Sequence, residues 1–205
     1  MNTQNHPVLE YPAANRLRHR RFLAGFVKVL LISVLWLAAY AFYEMAQNNF
    51  HTVVAGQVYR SSRMNPDALA RVIQTRHIQS VLSLIGPSLL ESNAVRKSGA
   101  VYFYVSISDR HELAESQMEK IIAAMRAAPK PLLIHCKAGA DRSGLASALY
   151  QFAIEGKPAA KADDELTIFY GHLPSWLGFP SRAMDQSFWH YAASHPPGFG
   201  TNNFN

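Results

Sequence analysis

The distribution of apolar positions divides this chain in two. Between Phe22 and Tyr43 the sequence is apolar apart from Lys28 and Ser33. Those 22 residues are enough to cross a bilayer as a helix. Further on, the apolar positions fall into short segments whose period alternates between strand and helix. Val53 to Tyr59 predicts a strand, and Asn65 caps a helix over Pro66 to Thr75. Ile78 to Ile85 predicts a buried strand, and Leu89 to Ser98 a helix that ends at Gly99. The alternating Val101 to Ile107 predicts a strand and Leu113 to Met125 an amphipathic helix. Pro131 to His135 is a short apolar strand. Beyond it Leu145, Ala148, Leu149 and Phe152 recur at helical spacing as far as Gly156-Lys157-Pro158. Ala159 to Gly171 and Met184 to Ala193 complete the set as helices, and the apolar, turn-rich segment between them is expected to pack on the core. Alternation of this kind predicts an α/β domain with a mostly parallel central sheet flanked by helices, preceded by one transmembrane helix.

The N-terminal run gains meaning from its flanks. Arg16 to Arg21 holds four arginines in six residues, whereas only Glu44 follows the run closely. Tyr40 and Tyr43 lie at the far end, where aromatic anchors favour the interface. A signal peptide has the same order of basic and apolar regions, but Glu44 to Asn49 offers no small-x-small cleavage site. A retained single-pass anchor is the expectation, with a cleaved signal peptide as the alternative. The arginines place the N-terminus in the cytoplasm and residues 44–205 across the membrane, which in a bacterium is the periplasm.

Candidate chemistry sits in His135-Cys136-Lys137-Ala138-Gly139-Ala140-Asp141-Arg142-Ser143-Gly144, which includes the only cysteine of the chain. The segment lies between a predicted strand and a predicted helix, so loop amides and the helix N-terminus converge on an anion site. Only the thiolate of a cysteine is strongly nucleophilic, and positive potential favours it. Arg142 offers a planar fork for two phosphate oxygens. Gly139 lets the backbone turn, and Ser143 can bond the sulfur and stabilise it as a leaving thiolate. Cys136, Arg142 and Ser143 are the catalytic candidates, and Lys137, Ala138, Gly139, Ala140, Asp141 and Arg142 the phosphate-binding ones. No Gly-Lys-Ser/Thr ends the loop, which excludes a Walker A motif. One cysteine and no His pair at ligand spacing argue against a metal site, and the chemistry requires no cofactor. Asp109, just past a strand end, is the general acid and then base. An aspartate there could instead cap the next helix. Glu112 and Glu115 are the alternates.

These residues resemble the protein tyrosine phosphatase superfamily, whose signature is His-Cys, five residues, then Arg-Ser/Thr. The separation of Asp109 from Cys136 looks like the short dual-specificity branch, and Gly56-Gln57-Val58-Tyr59-Arg60-Ser61 is similar to the opening strand of compact bacterial members. The resemblance covers about residues 52–192. It implies a phosphocysteine mechanism without a metal, acting on a phosphorylated protein, phosphotyrosine included. A phospholipid headgroup such as phosphatidylglycerophosphate is the alternative substrate, and a non-catalytic phosphate-binding module the alternative function. Family members acting on phosphoinositides often carry extra loop lysines, whereas this loop has only Lys137, which favours a substrate with one phosphomonoester. Asp141 departs from a simple cradle by placing a carboxylate beside Arg142. The expected organisation is a disordered basic stretch over 1–21, the anchor over 22–43, a linker over 44–51, the phosphatase domain over 52–195 and a flexible tail over 196–205.

Charge changes the picture little. The chain carries a formal +6, but residues 51–205 hold 15 basic and 12 acidic side chains. The arginine cluster accounts for much of the excess, so topology and anionic headgroups explain it without nucleic acid. Oligomeric state leaves no mark in the sequence.

Overall fold

The computed structural model describes residues 13–46, 48–173 and 182–199. It separates into two units, Met1–Met45 and Ala46–Asn205. The first is one helix, α1, over Ala13–Ala46. Within it Arg21–Tyr40 has the length and composition of a bilayer span or a signal sequence, and none of that stretch is buried. The helix outruns the apolar 22–43 segment at both ends. Residues 13–21, expected in a disordered stretch, are helical because leucine, arginine and alanine are good helix formers. Residues 1–12 lie outside the described residues.

The second unit is an α/β domain on a five-stranded sheet of order β1-β2-β5-β3-β4. Its strands are β1 (His51–Val54), β2 (Val58–Ser61), β3 (Ser80–Ser83), β4 (Val101–Tyr104) and β5 (Leu132–His135). Only β1 runs antiparallel, against β2; the β2/β5, β5/β3 and β3/β4 pairs are parallel. One strand was expected from Val53 to Tyr59. The chain instead makes a hairpin there, because Gly56 takes φ +71° and Gln57 N–H closes the turn on the Val54 carbonyl at 3.0 Å.

Helices cover both faces. Leu133 and Val81 pack with α2 (Pro66–Thr75) and α3 (Leu89–Lys97), while Leu132, Ile134, Leu82 and Leu84 pack with α4 (Glu115–Ala127), α5 (Asp141–Leu149) and α7 (Arg182–Ser194). Coverage on both sides is why β5 reads as an unbroken apolar run. Asn65 caps α2 as expected, its side-chain oxygen accepting from Ala68 N–H at 2.8 Å. The helix expected over Ala159 to Gly171 is broken. It is helical only over α6 (Ala159–Ala162), followed by short 3-10 turns at Asp163–Glu165 and Ile168–Tyr170. The cause is lateral: the Glu165 carbonyl accepts from the Arg60 guanidinium at 2.6 Å and is drawn out of the helical path. Part of the expected tail is docked, since Gly198 N–H donates to the Phe152 carbonyl at 2.9 Å. Residues 200–205, and 174–181 of the segment expected to pack on the core, lie outside the described residues.

In the aligned register His135 of β5 sits opposite Ser61 of β2 and Ser83 of β3. The carboxyl ends of the three central strands therefore meet where Cys136 begins the loop. In open α/β sheets this is where ligands bind.

Candidate active site

Cys136 is 1% exposed at the base of the loop between β5 and α5. Its Sγ lies 3.2 Å from the Gly139 N–H, which donates to it, and 3.4 Å from Ser143 Oγ. Ser143 is fully buried on the first turn of α5. The sulfur thus faces the helix N-terminus, where the partial positive charge of unpaired amides is concentrated.

The loop carbonyls are held from outside. Lys137 O accepts from Arg63 N–H at 3.3 Å, and Ala138 O from Asn49 Nδ2 at 3.0 Å. Gly139 O and Ala140 O accept from Arg60 Nη2 at 3.0 and 2.8 Å. In a trans peptide the carbonyl and the following N–H point opposite ways. Four carbonyls turned outward therefore turn the amides of residues 138–141 toward the centre. Gly139 has φ +77°, and a Cβ there would lie 2.6 Å from Ser62 N and 2.7 Å from the Ser61 carbonyl carbon. No other residue type fits.

Arg60, fully buried, holds this arrangement. Besides the two loop carbonyls it binds Glu165 Oε2 at 2.9 Å and stacks over the Tyr170 ring. Burial pulls its guanidinium below the usual value, and Glu165 opposes that shift. Behind the nucleophile, His135 Nε2 contacts Glu91 Oε1 at 2.6 Å, and Tyr102 OH donates to Glu91 Oε2 at 3.2 Å. Burial pushes the Glu91 carboxyl up, but the contacts with His135 and Tyr102 outweigh it and leave Glu91 below the ordinary carboxylate range.

Arg142 and Asp109 meet across the mouth of the loop, Nη2 to Oδ2 at 3.2 Å. Asp109 lies between β4 and α4 and does not cap α4, whose N-cap is Ala114. The Asp109 side chain is about a third exposed and that of Arg142 mostly covered. Among the described residues Arg142 Nε is buried without a hydrogen-bond partner. The alternates for Asp109 point elsewhere: Glu112 contacts His190 and Glu115 contacts His195, both on the C-terminal side of the domain. Lys137 and Ala138 are exposed at the rim, and Ala140 is buried beneath it. Asp141 points to a buried histidine, His172, at 2.8 Å.

Residues 90–166, which contain Asp109, Cys136, Arg142 and Ser143, match the model of a tyrosine phosphatase family. That segment is similar to tyrosine phosphatases, and the domain has a phosphatase-type fold. Solved structures with the same fold include TpbA of P. aeruginosa, at 22% identity over 72% of this chain and 92% of that one, with a TM-score of 0.51. TpbA is also known as a cysteine-to-serine variant in complex with phosphotyrosine. The core catalytic domain of the PP-IP phosphatase SIW14 of S. cerevisiae matches at 20% identity, covering 71% of this chain and 91% of its own, with a TM-score of 0.54. A DUF442 protein of Shewanella putrefaciens CN-32 matches at 17% identity over 72% of this chain and 91% of its own, with a TM-score of 0.56. No curated protein matches the chain.

Cys136, Arg142, Ser143 and Asp109 are legible in the sequence, and the fold brings them around one loop. Asn49, Glu91, Glu165 and His172 carry no such local signal, and Arg60 shows in the sequence only as part of a strand motif. A charged residue inside the apolar-aromatic run Val58-Tyr59-Arg60-Ser61 was the one available signal.

Proposed function

We propose that this chain is a membrane-anchored phosphatase that hydrolyses phosphomonoesters of proteins, phosphotyrosine included, through a phosphocysteine intermediate. The observation that carries the reading is the approach of Asp109 to Arg142 at 3.2 Å over a loop whose sulfur already accepts a backbone N–H. The Cys136 thiolate attacks phosphorus and the P–O bond to the leaving group breaks. Asp109, protonated, gives its proton to the departing oxygen. Arg142 and the inward loop amides bind the three equatorial oxygens, whose charge grows in the transition state. Water then attacks the phosphocysteine, Asp109 accepts its proton, and the thiolate leaves with Ser143 bonded to it. Phosphate departs and the enzyme returns to its starting state.

Lys137 is the only lysine of the loop and is exposed, which supports a substrate with a single phosphate. The binding of phosphotyrosine by TpbA supports the same choice. In α1 the unburied span Arg21–Tyr40 supports retention at a membrane, and the arginines before it support a cytoplasmic N-terminus with the catalytic domain outside. The test is phosphate release by the full-length chain in detergent from phosphotyrosine peptides, phosphatidylglycerophosphate and an inositol pyrophosphate in parallel. Fastest turnover of the peptides is expected. Preference for the lipid makes the headgroup reading correct, and inactivity on every phosphomonoester refutes the enzyme reading. Protease added to intact spheroplasts should remove residues 46–205, and their protection would refute the topology.

A further inference from the structure

A carboxylate next to the phosphate-binding arginine is a liability. Asp141 immediately precedes Arg142 on the first turn of α5, and an uncompensated charge there would repel a phosphate dianion. Here that carboxylate is taken up by one side chain. Asp141 Oδ1 lies 2.8 Å from His172 Nδ1, and the other ring nitrogen, Nε2, lies 3.2 Å from Asp185 Oδ1 on the first turn of α7. The His172 side chain has no exposure to solvent. A neutral imidazole carries one N–H, so both contacts are hydrogen bonds only when the ring is an imidazolium.

We propose that His172 is a positioning residue of the reaction: an imidazolium pinned by Asp185, it holds the Asp141 carboxylate away from the phosphate site and offsets its charge, so that α5 presents Arg142 to a dianion without repulsion from the neighbouring Asp141. The proposal rests on the phosphatase reading above.

Three features support it. The segment carrying His172 is tied to the loop independently, since Tyr170 O and Ala138 O share the side-chain amide of Asn49 at 2.9 and 3.0 Å. Gly171 then takes φ +80°, which turns the chain so that His172 enters the interior. The charged groups facing the ring are Asp141 from α5, Asp185 from α7 and Asp163 from the turn after α6, all of them carboxylates. Burial alone would lower the His172 pKa, but its bonds to Asp141 and Asp185 prevail and raise it to about 9. Asp163, by contrast, is pushed up by burial and by the Asp185 charge.

The experiment compares full-length wild type, H172Q, D141N and H172Q/D141N in detergent. It reads the Kd for inorganic phosphate by calorimetry, and kcat and KM on an aryl phosphomonoester. H172Q should weaken phosphate binding and kcat/KM by about tenfold, a modest charge effect at a partly screened site. D141N in the same chain should restore phosphate binding to the level of D141N alone, because no charge is left to cancel. A merely structural histidine would not be rescued in this way. Unchanged phosphate affinity in H172Q, or a double variant no better than H172Q, overturns the proposal. Should H172Q not fold, the wild-type profile carries the test. Phosphate binding should weaken as pH rises through about 9, and D141N should flatten that profile. A profile that D141N leaves unaltered overturns the proposal. Failure of the phosphatase reading would show separately, as wild-type inactivity with phosphate affinities still responding to H172Q.

Discussion

Replacement of Arg60 by methionine tests whether the signature loop is held open from behind. The side chain is fully buried, and its guanidinium serves the Gly139, Ala140 and Glu165 carbonyls and the Glu165 carboxylate. Methionine keeps much of the volume and removes every donor. Glu165, with 9% of its side chain exposed, is left as a buried charge whose remaining partner is Gln151 Nε2 at 3.3 Å. Breaking a buried ion pair from one side costs about 3–5 kcal/mol. The orphaned carbonyls add to this, though not additively, because the loop can relax toward water. At roughly 2–4 °C per kcal/mol for a domain of this size, Tm should fall by about 6–20 °C. R60M/E165Q removes both charges, and about half of the loss should return. Activity should not return with it, because the Gly139 and Ala140 carbonyls still lack donors and the amides opposite them lose their fixed direction. Thermal unfolding followed by circular dichroism, together with kcat/KM on an aryl phosphate, reads both effects. A Tm within about 2 °C of wild type, a shift worth ~1 kcal/mol or less, would refute the reasoning. So would a double variant that is less stable than R60M.

Other consequences follow from the same geometry. G139A should abolish phosphate binding and destabilise the domain by at least ~1–2 kcal/mol, the ordinary penalty for a left-handed non-glycine residue; the new Cβ would also lie 2.6 Å from Ser62 N. Calorimetry with inorganic phosphate and urea unfolding check the two effects. D109A should slow turnover of alkyl phosphates far more than that of nitrophenyl phosphates, whose leaving group needs no proton; equal losses across a leaving-group series would remove Asp109 from the acid role. His172 also makes stability depend on pH. Its folded pKa is raised from 6.5 to about 9, so its contribution is complete below pH 6.5 and is lost as pH rises through about 9. Urea unfolding of wild type and H172Q should therefore differ most in mildly acidic buffer and converge above that range; a gap that widens with pH would contradict the assignment.

The legible parts of this protein are those whose information is local. Pro131 to Gly144 declared its strand, loop and helix because apolar residues, a thiol and a guanidinium fall at fixed short spacings. Asn65 declared a cap for the same reason. Less was legible where a distant side chain decides the local backbone. The helix expected past Ala162 breaks because Arg60, 105 residues away, takes the Glu165 carbonyl. The Asp141–His172–Asp185 chain spans separations of 31 and 13 residues that match no helical or strand period. Without the fold, His172 and Asp185 read as ordinary surface residues. Asp141 was visible as an anomaly in the loop, and its partner was not. The hairpin at Gly56 was missed for a simpler reason: β-branched and aromatic residues continue on both sides of the turn.

The central claim is that Cys136 forms a covalent bond to phosphorus. Full-length protein mixed with a phosphotyrosine peptide, quenched in denaturant within the first turnovers and digested should yield one phosphoryl group on the peptide that contains Cys136. The adduct should accumulate further in a D109N variant given a nitrophenyl phosphate, whose leaving group needs no acid while hydrolysis lacks its base, and should vanish in C136S. Rapid phosphate release with no adduct at Cys136 in either the wild type or D109N, or turnover that survives in C136S, would contradict the account.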